Sequence, residues 1–114
     1  MVRWVFITSL IMLAGCARPP KFESTYHAVL LDNGAVYFGR LEGFGTPYPI
    51  LNEVYYVQNG VNPQTKEATN VLIRRGKEWH EPDRMALNAS HILFVEPVGK
   101  DSRVAQLIRD LKSK

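Results

Sequence analysis

The polar segment that follows residue 76 carries the chain's densest group of side chains able to do chemistry. Carboxylate and imidazole groups a few residues apart can hold a metal ion or act as an acid and base pair. A zinc-binding helix places two histidines four residues apart on one face. This segment lacks that spacing, and Gly76 and Pro82 disfavour a helix. The side chains concerned are Glu78, His80, Glu81, Asp83 and His91.

Two interpretations of this segment stay open. In the first, it is a solvated loop with Trp79 packed inward as its anchor, and the chain has no catalytic residue, no bound metal and no cofactor. In the second, loop 78–91 serves a small metal-dependent or acid/base hydrolase, with His80, Glu81 and His91 as candidate metal ligands. We expect the first, because short motifs of this kind often arise by chance.

The only cysteine of the chain, Cys16, stands at the end of an apolar amino-terminal run. A basic residue at Arg3, the apolar residues 4–13 and a close of small residues are the three parts of a secretory signal peptide. A membrane-spanning helix needs about 20 apolar residues, and Pro19 ends this run before that length is reached. Residues 1–15 are therefore predicted to be an export signal.

The residues that end this run, Leu13-Ala14-Gly15-Cys16, resemble the bacterial lipobox. The resemblance implies a diacylglycerol thioether on Cys16, cleavage after Gly15 and acylation of the new amino terminus. Several acyl chains hold a protein on a membrane stably, whereas one chain binds only marginally. It also implies a lipoprotein of the bacterial cell envelope that faces the periplasm or the exterior. At the position after the cysteine the chain has Ala17 in place of an aspartate, and in this it resembles lipoproteins sent to the outer membrane.

Behind this signal the chain divides into three predicted parts. Residues 16–25 are expected to be the acylated cysteine and a flexible tether, since they contain two prolines and little apolar material. Residues 26–98 are expected to form one small β-barrel domain, and residues 99–114 a helix packed on it. The formal net charge of +3 is spread along the chain, so it does not indicate a nucleic-acid partner.

The central part has the pattern of a β protein. Asn33-Gly34 between two apolar runs is a strong hairpin signal, and Gly39 and Gly43 suggest a bulge or bend of the kind that curls a small sheet. We predict a mainly β fold, a small five-stranded curled sheet or an SH3/Sm-like barrel. The runs rich in apolar, β-branched or aromatic residues are 26–31, 35–41, 50–58, 69–75, 85–88 and 91–98.

The carboxyl-terminal segment has helical periodicity. Four aliphatic residues recur at i, i+3, i+4 and i+7, and Asp101 or Ser102 can cap the first turn. The pattern predicts one amphipathic helix whose stripe packs on the barrel, with docking onto a partner as the alternative use of the stripe. The stripe consists of Val104, Leu107, Ile108 and Leu111.

Residues 36–41, a glycine-marked strand after Asn-Gly, resemble the first Sm motif. Residues 85–87 and 92–95, separated by a short turn, resemble the end of the second. The layout is similar to that of small bacterial lipoproteins with an Sm-like or SH3-like barrel. Such barrels often form rings, so the resemblance also allows a homo-oligomer. The residues with which Sm proteins bind RNA bases have no counterpart after Gly43, and no nucleic-acid partner is expected.

Aromatic residues of the predicted domain are the candidates for contacts with a partner. Exposed aromatic side chains are common anchors of protein interfaces. We therefore expect a non-catalytic binding or structural module, anchored in the membrane through the lipid on Cys16, that contacts another envelope protein. The candidate contact residues are Tyr48, Tyr55, Tyr56 and Trp79.

Overall fold

The computed structural model describes residues 19–114, so the predicted signal peptide and Cys16 lie outside the described residues. Within this part the chain forms six strands and one α-helix. A single 3-10 turn, Ala89–His91, precedes the last strand. The elements are β1 His27–Leu31, β2 Val36–Glu42, β3 Ile50–Val61, β4 Ala68–Arg74, β5 Arg84–Ala86, β6 Ile92–Pro97 and α1 Arg103–Lys112.

The strands form one antiparallel sheet in the order β4-β3-β2-β1-β6, with the short β5 paired to the beginning of β3. The predicted mainly β fold with a carboxyl-terminal helix is confirmed. The described strands number six rather than five, because Arg84–Ala86 pairs with β3 separately from β6. The hydrogen-bonded strands do not close into a barrel. Of the two predicted forms, the architecture is therefore the curled sheet.

The predicted hairpin at Asn33-Gly34 is present between β1 and β2. Gly34 has a positive φ of 85°, and the amide of Ala35 donates to Asn33 Oδ1 over 3.0 Å. Leu31 and Ala35 close the connection through a backbone hydrogen bond of 2.9 Å. Asn33 itself does not have a positive φ, because this connection is longer than a two-residue turn and needs one left-handed residue only.

A bulge between β2 and β3 produces the main irregularity of the sheet. Phe38 pairs with Tyr55 and Arg40 with Asn52, so β3 holds one residue more than β2 over this interval. Glu53 lies in the bulge with a positive φ of 51°. On β2, a Cβ on the buried Gly39 would stand 2.6 Å from the carbonyl oxygen of Asn52. The absence of a side chain at Gly39 therefore lets the two strands approach.

Because of the bulge, side chains of β3 on either side of Glu53 are buried on opposite faces of the sheet. The inner face holds a cluster of Val29, Leu51, Val54 and Leu87. The outer face holds a second cluster, which the helix covers, of Tyr55, Leu72 and Ile108. Leu51 and Tyr55 are both fully buried, in different clusters. Each cluster removes apolar surface from water, and this burial is the main stabilising contribution to the fold.

The helix packs on the outer cluster through the predicted stripe. Val104, Leu107 and Leu111 contact it, and Ile108 is 1% exposed within it. Ser102 caps the helix, since its hydroxyl oxygen accepts from the amide of Ala105 over 3.1 Å. The stripe therefore packs on the sheet of its own domain, which is the first of its two predicted uses. It fixes the helix over the strands that carry Tyr55 and Leu72.

Candidate partner-binding surface

Trp79 stands in the loop between β4 and β5 with its side chain fully exposed. The expectation that Trp79 packs inward as the anchor of this loop is therefore wrong. Glu78 anchors the loop instead. Its carboxylate accepts from the amide of Gly76 over 2.8 Å and from Arg75 Nε over 3.1 Å. The hydrogen bond from Gly76 is the main reason that the pKa of Glu78 lies below its ordinary value. The loop is thus tied at Glu78 and presents Trp79 to solvent.

Arg75 joins this loop to the inner part of the sheet. Its amide donates to the carbonyl oxygen of Val54 over 2.8 Å, and its Nη1 lies 3.0 Å from the sulfur of Met85. The sequence did not reveal these contacts of Arg75, because its partners come from three different segments. The base of the Trp79 loop is consequently connected to both β3 and β5.

The structure does not assemble the predicted metal ligands. His91 Nδ1 lies 2.6 Å from Asp32 Oδ2, beside the β1–β2 turn. His80 and Glu81 are exposed in the loop that holds Trp79. Among residues 19–114, no group of three or more histidine, cysteine, aspartate or glutamate side chains could hold a metal ion together. The proximity of His91 to Asp32 arises from the pairing of β6 with β1, which the sequence spacing did not reveal.

The four predicted partner-binding aromatic residues do not share one surface. Tyr55 is fully buried beneath the helix, so its assignment as a contact residue is wrong: in the folded chain it is core. Tyr56 is half-buried against Tyr37, with ring centroids 6.5 Å apart. Tyr48 is 65% exposed in the β2–β3 loop, and Trp79 is fully exposed. Tyr48 and Trp79 are the two members of the set that are freely accessible.

A partly buried polar cluster around Glu53 was also missed. The Glu53 side chain is 9% exposed. Its Oε2 accepts from the hydroxyl groups of Tyr26 and of Tyr55, the latter over 3.1 Å. Its Oε1 lies 3.6 Å from Lys112 Nζ and 3.7 Å from Arg40 Nε. An acidic residue inside an apolar run was the one signal of this cluster in the sequence.

Opposing effects set the ionisation of this cluster. Burial acts to raise the pKa of Glu53, but the two tyrosine hydroxyls and the charges of Lys112 and Arg40 outweigh it, so the pKa is lowered overall. Burial, with the adjacent Glu53 charge, raises the pKa of Tyr55 to about 12. Glu53 is therefore an ionised acceptor and Tyr55 a neutral donor near neutral pH. The cluster joins the bulge to the last turn of the helix.

Exposed and half-buried apolar side chains also mark the outer face of β1, β2 and β6. They border a groove of about 390 Å³ beside the amino-terminal end of the helix. Val36 is 39% exposed and Phe94 48% exposed. The helix covers Tyr55 and Leu72 but leaves this part of the sheet open. The apolar residues of the groove are Ala28, Leu30, Val36, Phe38, Phe94, Pro97, Val98 and Val104.

Among residues 19–114, no helix has both the length and the apolar content needed to cross a bilayer. No protein-family model matches the chain, and the search of curated proteins found no matching relative.

Proposed function

We propose that this chain is a lipoprotein of the bacterial cell envelope, anchored through acyl chains on Cys16, whose β domain is a non-catalytic binding module. The observation that carries the proposal is the sequence Leu13-Ala14-Gly15-Cys16 directly after an apolar run, with the sole thiol of the chain at its end. A signal peptide ending in this motif supplies both export and the acylation site. The outer membrane is the favoured location where the host has one.

A small domain with its own core behind the motif supports a tethered module. The inner and outer clusters lie within residues 26–114, close behind Cys16. A lipidated domain of this kind remains at the membrane surface and acts there through exposed side chains. The resemblance of the sequence to Sm-like and SH3-like lipoprotein domains belongs to the same proposal, with the sheet open rather than closed into a barrel.

The partner in this proposal is another envelope protein, and Trp79 is its main contact. Tryptophan is enriched among the residues that dominate binding energy at interfaces. Trp79 is fully exposed, while Glu78 and Arg75 hold the loop beneath it. A side chain presented on a tied loop loses little conformational freedom on binding, which favours affinity.

Mass spectrometry of the chain isolated from membranes tests the anchor. We expect a mature protein that begins with a lipid-modified Cys16. The variant Cys16→Ser should stay unprocessed or become soluble. As a control, Thr25→Cys in the Cys16→Ser background restores a thiol at an exposed position outside the motif and should not restore the lipid. Membrane-bound, processed Cys16→Ser protein of native size would contradict the proposal.

Cross-linking in native membranes, followed by purification, tests the contact. Trp79→Ala should lose most of the cross-linked envelope protein, because the anchor of the interface is removed. Val61→Ala, which changes another exposed apolar side chain on the long hairpin, should retain it. Equal recovery with the two variants would exclude Trp79 as the main contact.

A further inference from the structure

The first described residues of the chain rest on the β2–β3 loop. A Cβ on Gly45 would stand 2.9 Å from Cγ and 3.2 Å from Cδ of Pro19. Gly45 also has a φ of +99°, which side-chain-bearing residues rarely adopt. Further along, the rings of Phe22 and His27 have centroids 5.7 Å apart. The chain therefore follows the surface of the domain from Gly45 to the start of β1.

This contact limits how far the domain can lie from the anchor. Cys16 and Pro19 are three residues apart in the sequence. An extended chain spans at most about 3.6 Å per residue, so three residues reach no further than about 11 Å. A lipid on Cys16 would thus hold the Gly45 loop close to the bilayer surface, and the domain would have few orientations available.

The surface beside Gly45 is apolar and accessible. Phe44 and Gly45 face Leu93 and Phe94 of β6 across a depression of about 260 Å³. Leu93 is 61% exposed and Phe94 48% exposed. The β1–β6 register shifts at Leu30 and Leu31, so Leu93 has no paired residue on β1. We call the surface formed by Phe44, Gly45, Leu93 and Phe94 the anchor-side face.

We propose that the anchor-side face lies on the lipid surface, with the side chains of Leu93 and Phe94 in the boundary between headgroups and acyl chains. This inference rests on the proposed acylation of Cys16. Apolar side chains held beside a lipid anchor leave water when they enter that boundary, and the contact strengthens with the apolar area buried. Lys21, exposed on the segment that rests on the domain, adds attraction to anionic headgroups.

Quenching of tryptophan emission by brominated lipids tests the orientation. The full chain is expressed with Trp4 and Trp79 replaced by phenylalanine, so that Leu93→Trp or Phe94→Trp provides the only indole. The membrane-extracted protein is reconstituted in phosphatidylcholine and phosphatidylglycerol vesicles brominated at the shallow acyl positions. Both probes should be strongly quenched.

The control probe is Val61→Trp in the same background. Val61 is 63% exposed at the far end of β3, ten residues beyond Leu51, which corresponds to about 33 Å along a strand. Its emission should change little. Circular dichroism shows whether each variant keeps the fold, and the second probe on β6 guards against a local effect of one substitution.

The two proposals fail in different ways in this experiment. Mass spectrometry of the same samples reports the acyl groups on Cys16, and their absence would overturn the lipid anchor together with the orientation. With acylated protein, unquenched Leu93→Trp and Phe94→Trp would overturn the orientation alone. That result would place the side chains of the anchor-side face outside the bilayer. Equal quenching of Val61→Trp and the β6 probes would also overturn the orientation.

Discussion

Tyr55 donates its hydroxyl hydrogen to Oε2 of Glu53 over 3.1 Å, from a position two residues further along the same strand. The bulge at Glu53 makes this contact part of the outer cluster, where the Tyr55 ring is fully buried beneath the helix. Tyr26 donates to the same oxygen, and Lys112 of the helix lies close to the other oxygen of the carboxylate. One carboxylate thereby connects the start of the domain, the bulge and the helix end.

Replacing Glu53 by glutamine should lower the free energy of unfolding. The neutral amide keeps the shape but loses the charge that strengthens both tyrosine hydrogen bonds, and we expect a loss of about 1–3 kcal/mol. Urea unfolding followed by circular dichroism measures it. The control Glu42→Gln changes an exposed carboxylate of β2 and should have little effect. Equal stability of the two variants would show that the cluster contributes nothing.

Acid should destabilise the wild-type chain more steeply than Glu53→Gln. The pKa of Glu53 is lower in the folded chain than the ordinary value of 4.5. Its stabilising contribution is therefore present above that value and is lost as the pH falls through the folded pKa. Unfolding free energies measured between neutral pH and the acid limit should converge for the two proteins. Parallel pH profiles would contradict this assignment.

Gly39→Ala should destabilise the sheet at the bulge. The new Cβ would stand 2.6 Å from the Asn52 carbonyl oxygen and 2.9 Å from Leu51 Cγ, so the two strands must move apart. Overpacking of this kind costs about 1–3 kcal/mol. Gly99→Ala is the control, since the nearest atom to its Cβ is Ser102 Cβ at 3.9 Å. Thermal unfolding gives the melting temperature of each variant. A melting temperature that falls for Gly99→Ala but not for Gly39→Ala would contradict the interpretation.

Zinc added to the purified chain should leave the emission of Trp79 unchanged. His91 bonds to Asp32 beside the β1–β2 turn, whereas His80 lies exposed in the Trp79 loop, so the predicted ligands do not converge. Titration of the wild-type chain and of His80→Ala should therefore give the same flat response. A saturable change that is lost in His80→Ala would instead favour the hydrolase interpretation of loop 78–91.

The elements that depend on neighbours in the sequence were predictable. The Asn33-Gly34 connection, the helix stripe and the Ser102 cap involve residues within about one turn of each other, where conformational preference and periodicity act directly. The β segments were recognised for the same reason. The export signal and the lipobox are likewise properties of the sequence, and they remain predictions outside the described residues.

Burial and the polar contacts were decided by the tertiary structure. Regular alternation would put Leu51 and Tyr55 on one face of β3, yet the bulge at Glu53 sends them into different clusters. Glu53 meets Tyr26 from 27 residues earlier in the chain. Trp79 is exposed because Glu78 ties the loop in its place. A local pattern shows which side chains prefer burial, but the segment that covers each of them comes from a remote part of the chain.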